Sequence, residues 1–278
     1  MDSLTALHTA ARRYCMDNAK QWRQHYSAQR AERGTIWNEV YEMEADATFP
    51  RYNVLDTILI DVESLIPTNC ATFEELQALL ILAGQTAESL FTAPPNSAIA
   101  DKAMAEEREH FVAYVQQLTV ATVQSVTSLP YRRTLLLPEE ERFRREMERH
   151  WGVGKGYWHP LIARDIPAGI LAFQAAWFIY AVPIEQLRDI LVGRGITRLW
   201  ELRESSAGFE IAIGLFVPTY TGGEGYWTSP GFDWLIYASH ESSVTVAGEW
   251  LLAEIKAIWP DWERYLYTTY DYERPPVP

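Results

Sequence analysis

The sequence predicts an α+β fold, in which a helical N-terminal half precedes a tryptophan-rich half built on an antiparallel or mixed β-sheet with C-terminal helices. Three observations lead to this prediction. Apolar residues recur at helical spacing through most of residues 1–150, short strand-like segments that pair as hairpins follow, and nine of the eleven tryptophans lie beyond residue 150. The regions 1–150 and 151–278 are therefore either two domains or two parts of one continuous domain with a shared core.

The first half is predicted to consist of amphipathic helices. Thr72 and Glu75 have the spacing of a capping box, and Pro138 with the acidic residues after it is typical of a first helical turn. Gly34 is suited to end the first helix. The helical segments cover residues 3–34, 53–67, 72–91, 97–126 and 137–152.

The second half is predicted to alternate between strands and short helices. The apolar run 170–182 has the composition of a buried strand, and 183–195 is typical of a short helix that begins at Pro183. Residues 196–204 and 209–218 form one predicted hairpin, and 232–239 with 243–248 form a second. The glycine-rich segment 219–231 is predicted to be a loop, and 249–259 an amphipathic helix.

Composition and charge restrict the classes of partner. The chain has 278 residues, of which 48% are hydrophobic, and a formal net charge of -13, so a sizeable core and an acidic surface are expected. An acidic surface repels phosphate groups, which argues against nucleic acid and anionic membrane as partners. With two cysteines, no signal peptide and no membrane-spanning run, the sequence predicts a soluble, cytoplasmic protein.

The central candidate site is the polar segment 239–243, between the two strands of the second predicted hairpin. A metalloprotease helix needs two histidines four residues apart, and the segment HESSV supplies only the first. A serine hydrolase needs converging side chains, which here would be His240 with Ser242 and, from a distance, Asp233. Adjacent residues of a strand point to opposite faces, so Ser239 and His240 do not form such a pair if both are extended.

A binding surface is the second interpretation of this region. Aromatic residues on a glycine-rich loop are suited to recognition, and the loop 219–231 directly precedes the hairpin. The third interpretation is a purely structural hairpin turn, in which Ser and Glu side chains bind their own backbone. The predicted binding residues are Tyr226, Trp227, Asp233, His240, Glu241 and Ser242.

Other candidates have simpler structural interpretations. The segment 148–160 contains His150 and His159 but lacks a third metal ligand and the P-loop pattern, so it is predicted to join the two halves. Arg51 is predicted to pair with the acids of 42–46. Glu107 and His110 have half of the spacing found in di-metal carboxylate proteins. We therefore predict no catalytic residues, no metal ligands and no cofactor.

The leading functional hypothesis is a cytoplasmic, non-enzymatic binding or regulatory protein, such as an acidic immunity-like inhibitor of a basic protein partner. It follows from the even negative charge, the aromatic residues near 220–241 and the failure of the catalytic patterns. Two alternatives remain open. One is a hydrolase or metal-dependent enzyme centred on His240, and the other is a structural subunit of a larger assembly whose tryptophans form the interface.

Overall fold

The α+β class predicted from the sequence is confirmed. The computed structural model describes residues 1–33, 39–154, 158, 168–204 and 206–267, with side chains described outside 33 and 39–42. The chain divides into two compact units, Met1–Leu129 and Pro130–Pro278. The second unit takes in residues 130–150, which the sequence analysis assigned to the first of its two regions, 1–150 and 151–278. They include most of the helix Leu137–Trp151, whose Phe143 and Met147 pack against the sheet of the second unit.

The first unit is a bundle of helices. Its core contains the apolar stripes of the long helices, among them Leu7, Val54, Leu76 and Phe111. Within the described residues, no helix of the chain has both the length and the apolar character needed to cross a membrane. The helices are α1 (Ser3–Arg33), α2 (Glu39–Ser64), α3 (Phe73–Thr86), α4 (Ala98–Gln117) and α5 (Val120–Val123), with a 3-10 turn at Pro67–Asn69.

Some of the helices begin and end where the sequence predicted, and others do not. The Thr72 hydroxyl accepts a hydrogen bond from the Glu75 amide at 3.1 Å, which is one half of the predicted capping box, while the Glu75 carboxylate accepts from the Ala71 amide instead of the Thr72 amide. The predicted helix 97–126 is instead divided, because Leu118 is extended and Thr119 caps α5. Helix α2 begins before the predicted start and continues through Pro50, which a helix tolerates at the loss of one backbone hydrogen bond.

Two buried polar contacts connect α1 to α2. Arg12 and Glu63 form an ion pair at 2.9 Å between almost fully buried side chains. The His8 ring nitrogen Nε2 lies 2.7 Å from the Val62 carbonyl oxygen. Burial lowers the pKa of His8 to about 4, so its neutral ring donates to that carbonyl.

The second unit is built on a seven-stranded sheet in which all neighbours are antiparallel. Its strand order is β1-β4-β3-β5-β6-β7-β2. Both predicted hairpins are confirmed, since β3 pairs with β4 and β6 pairs with β7. The strands are β1 (Arg132–Thr134), β2 (Ile170–Gln174), β3 (Arg198–Arg203), β4 (Phe209–Ala212), β5 (Gly225–Thr228), β6 (Leu235–Ala238) and β7 (Ser243–Ala247).

Helices cover both faces of this sheet. On one face α9 (Glu249–Ile258) packs with α8 (Ile184–Gly193) and α7 (Ala175–Ala181) against side chains that include Trp227 and Ile236. On the other face α6 (Leu137–Trp151) packs against Tyr226 and Tyr237. Since neighbouring strand residues point to opposite faces, β5 and β6 are buried on both sides.

Two predictions for the second unit are corrected. The run 170–182 is a strand only as far as Gln174, and a helix follows from Ala175. The segment 219–231 is not only a loop, because Gly225–Thr228 forms β5 at the middle of the sheet. A strand that is buried on both faces has no alternation of polar and apolar residues to mark it. The four residues of β5 also stand between glycines and a proline, which are typical of turns, and the sequence therefore predicts a loop.

Candidate functional site

The polar segment forms the turn between β6 and β7. The Ser239 amide donates to the Ser243 carbonyl oxygen at 3.1 Å, which closes the hairpin. The Glu241 amide donates to the Ser239 hydroxyl oxygen at 3.0 Å, while the Ser239 hydroxyl donates to the Glu241 carboxylate. Ser242 has a φ of 63°, the left-handed conformation that tight turns require. Side-chain hydrogen bonds to the local backbone therefore define this turn.

Glu224 is the residue that sequence reasoning missed. In the β5–β6 pairing Gly225 lies opposite Ala238, so Glu224 lies beside the start of the turn. Its carboxylate is only 5% exposed. One oxygen, Oε1, lies 2.5 Å from His240 Nδ1, and the other, Oε2, accepts from the Tyr237 hydroxyl at 2.5 Å. The sequence does not indicate this contact, because Glu224 and His240 are 16 positions apart and only the strand pairing brings them together.

His240 is held at both ring nitrogens by carboxylates. Its Nε2 lies 3.2 Å from Glu241 Oε1, and the side chain is 61% exposed. The hydrogen bond to Glu224 and the negative charge of Glu241 raise the pKa of His240. Burial acts to raise the pKa of Glu224, but the hydrogen bonds from Tyr237 and His240 outweigh burial and lower it.

Two tyrosines stand behind the Glu224 carboxylate. The rings of Tyr226 and Tyr237 stack with centroids 4.6 Å apart. Burial and the charge of Glu224 raise the pKa of Tyr226 to about 12. Burial and the hydrogen bond to Glu224 also raise the pKa of Tyr237. Both phenols therefore stay protonated at neutral pH, and Tyr237 serves Glu224 as a hydrogen-bond donor.

A cavity of about 340 Å³ adjoins the same carboxylate. Helix α6 contributes Arg144, Arg145 and Met147 to its lining, and the sheet contributes Glu204, Glu224 and Tyr226. With Glu148, also from α6, the lining combines two cationic and three anionic side chains with apolar groups. Because Glu224 belongs both to the cavity and to the His240 contact, the two features are neighbours in the second unit.

The structure separates several of the predicted binding residues. Trp227 is fully buried and donates from Nε1 to Glu201 Oε2 at 3.1 Å, so the prediction that it is an exposed recognition residue is wrong. Tyr226 is also buried. Asp233 precedes β6 at the end opposite the turn, where it accepts a hydrogen bond from Trp250 Nε1 at 2.9 Å. It is not the acid partner of His240, because a strand separates them.

His240, Glu241 and Ser242 do lie together in the turn, as predicted. A serine nucleophile activated by His240, for which the sequence suggested Ser242, is not what this geometry forms, since both His240 ring nitrogens contact carboxylates. The arrangement is a histidine ring whose two nitrogens contact two carboxylates. This cluster can bind a charged group of a partner. Alternatively, a metal ion can replace the imidazole ring as the partner of the two carboxylates.

The remaining candidates have structural roles. Arg51 pairs with Glu106 and with Glu107, at 2.7 Å in the second case, two partners that the sequence did not suggest; of the predicted acids of 42–46, Glu42 lies outside the described side chains. Glu107 thereby has an arginine partner, and His110 lies 4.0 Å from its carboxylate. His150 stacks on Phe232, whereas His159 lies outside the described residues.

Comparison of the chain with models of protein families, with characterised proteins and with solved structures gives no match.

Proposed function

We propose that this protein is a cytoplasmic, non-enzymatic binding protein that regulates or inhibits a basic protein partner, as an acidic immunity protein does. The surface that binds is the end of the β6–β7 hairpin, formed by Glu224, Ser239, His240, Glu241 and Ser242, which we call the hairpin end. The observation that carries the proposal is that His240 is largely exposed yet fixed at both ring nitrogens. A side chain fixed before binding loses little rotational entropy when a partner docks.

The charge of the hairpin end supports a cationic partner group. Its two carboxylates outnumber the single imidazolium, and the charge of Glu204 also acts on His240. The chain as a whole has a formal net charge of -13. A negative surface attracts lysine and arginine side chains and accelerates encounter with a basic protein. The expected contact is therefore a partner lysine or arginine that binds the Glu241 carboxylate, whose side chain is 14% exposed.

A metal-dependent enzyme or hydrolase at the hairpin end is the second candidate. The observation in its favour is the cavity that shares Glu224 with the His240 contact. A general base needs a ring nitrogen free to take a proton, and both nitrogens of His240 are engaged with carboxylates. The third candidate, an assembly subunit with a tryptophan interface, has less support, because Trp158, Trp227 and Trp234 are fully buried.

The test is capture of a basic partner by the immobilised chain from a lysate of the source cells, followed by affinity measurement with the purified partner. The double variant His240→Gln/Glu241→Gln should weaken binding at least tenfold, since central charged contacts are worth more than ~1.4 kcal/mol. The control is Glu109→Gln/His110→Gln, which removes from α4 a histidine of similar exposure together with an adjacent, more exposed glutamate.

Salt dependence provides the second readout. The affinity of the wild-type chain should fall as the ionic strength rises, because screening reduces attraction between exposed charges. Binding that is insensitive to salt and equal in wild type and the hairpin-end double variant would contradict the proposal. An affinity lost equally in both double variants would show that net charge, and not the hairpin end, determines binding.

A further inference from the structure

We infer that Glu224, His240 and Glu241 form a binding site for one divalent transition-metal ion, with Zn²⁺ as the ion that the ligand set fits best. One ligand atom from each of the three residues can be chosen such that all three lie within 4.8 Å of one another. Two carboxylates and one imidazole are a common donor set for such ions. This inference does not rest on the protein partner proposed above.

The two carboxylates are already oriented toward a common point. Tyr237 donates to Glu224 Oε2, and Ser239 donates to Glu241 Oε2. The remaining oxygen of each carboxylate, Oε1, faces the His240 ring. Hydrogen bonds to the non-ligating oxygen hold carboxylate ligands in position and contribute to metal affinity. The fold therefore supplies the outer hydrogen bonds of a metal site as well as its ligands.

The ligands differ in exposure in a way that admits an ion. Glu224 is 5% exposed and is fixed by the sheet, whereas the His240 side chain is 61% exposed at the surface of the turn. In the structure the imidazole ring contacts both carboxylates, through Nδ1 and Nε2. A metal ion would take that central position, and the ring would turn outward to present one neutral nitrogen, with its proton released to solvent.

The composition of the site selects among divalent ions. Mg²⁺ requires octahedral oxygen ligands and retains its waters, so one imidazole and two carboxylates hold it weakly. Zn²⁺ accepts nitrogen and carboxylate oxygen in a tetrahedral site, and three protein ligands leave its fourth position open to water. Because the turn is exposed, that fourth position would face solvent.

The test is a calorimetric titration of ZnCl₂ into the chelator-treated full chain, without any protein partner. We expect one ion per chain in wild type, and Zn²⁺ affinity reduced at least tenfold in His240→Gln and in Glu241→Gln. Tyr237→Phe should reduce the affinity on the order of tenfold, because it removes the hydrogen bond that orients Glu224. The matched control is His110→Gln, which removes a histidine that is 65% exposed and also lies near a glutamate, and should bind like wild type.

Titration with CoCl₂ distinguishes this site from ligation by a cysteine. Cys70 is partly accessible, and a thiolate ligand would give an intense near-ultraviolet charge-transfer band that carboxylates and imidazole do not give. The inference predicts a Co²⁺ spectrum without that band, lost in His240→Gln. Absence of saturable Zn²⁺ binding, or equal affinity in wild type, His240→Gln and Glu241→Gln, would overturn it. Circular dichroism of each variant establishes that the fold is retained.

Discussion

Glu224 and His240 join two parts of the chain that are not adjacent in sequence, with 2.5 Å between Oε1 of the carboxylate and Nδ1 of the ring. The carboxylate is buried at the beginning of β5, and the ring is exposed at the turn that follows β6. The buried partner is in turn fixed by the Tyr237 hydroxyl. Because the fold holds the buried Glu224 carboxylate against His240, the fold itself raises the pKa of this exposed histidine.

The first prediction concerns the pKa of His240 in the metal-free chain. The pKa should lie above 6.5, because Glu224 and Glu241 stabilise the charged ring. Glu224→Gln should lower it toward the ordinary value, and Glu241→Gln should lower it by a smaller amount. The measurement is a pH titration of the histidine Cε1 proton resonance by NMR. A pKa unchanged by Glu224→Gln would show that the carboxylate does not contact the ring in solution.

The second prediction concerns the burial of Trp227. Its indole is fully enclosed and bonded to Glu201, and the Arg203 guanidinium lies 5.0 Å from its ring centroid. Trp227→Ala should therefore lower the free energy of unfolding by about 3–5 kcal/mol, as for other large buried aromatic side chains. Tyr220→Ala, which truncates an exposed aromatic residue before β5, should change it by less than about 0.5 kcal/mol.

Urea unfolding followed by circular dichroism measures both changes. Equal, small effects of Trp227→Ala and Tyr220→Ala would contradict the buried position and would support the exposed loop that the sequence suggested.

The parts of the fold that the sequence predicted are those with local signals. The hairpin of β6 and β7 is recognisable because two apolar runs flank a polar turn, and the start of α3 because Thr72 and Glu75 form its cap. Local patterns of this kind depend on residues a few positions apart. The fold class followed from summing such signals along the chain.

The parts that were missed depend on contacts between distant residues. Strand β5 is surrounded by turn-forming residues, and only its pairing with β3 and β6 makes Tyr226 and Trp227 core residues. Glu224 becomes part of the site through the same pairing. The candidate site could therefore be located at His240 and Glu241 from the sequence, whereas its buried carboxylate required the sheet register.

The third prediction concerns Gly248, between β7 and α9. Its φ is 112°, and a Cβ there would lie 2.7 Å from the Asp233 carbonyl oxygen. Gly248→Ala should lower the free energy of unfolding by about 2 kcal/mol or more. Alanine is strained at this φ, and the carbonyl oxygen that its Cβ would meet belongs to the main chain and cannot move aside as a flexible side chain can. Gly193→Ala, at the end of α8, meets no atom within 4 Å and should be neutral or slightly stabilising.

Thermal unfolding of the two alanine variants beside wild type measures this difference. If Gly248→Ala unfolds at the same temperature as Gly193→Ala, the close approach between residue 248 and the chain at Asp233 is not present.

The fourth prediction concerns the pH dependence of stability, which His8 controls in the first unit. Burial lowers its pKa from 6.5 to about 4 in the folded chain. Above pH 6.5 the ring is neutral in both states, so its contribution to stability is complete. As the pH falls toward 4 the unfolded chain binds a proton that the folded chain does not, so this contribution decreases by as much as about 3 kcal/mol.

The measurement compares wild type with His8→Gln in urea unfolding from pH 7 to pH 4. Glutamine keeps a donor for the Val62 carbonyl oxygen but does not titrate, and all other acids are common to both chains. Between pH 7 and pH 4, the free energy of unfolding of wild type should therefore fall by about 3 kcal/mol more than that of His8→Gln. A constant difference would mean that the His8 ring is accessible to protons in the folded state.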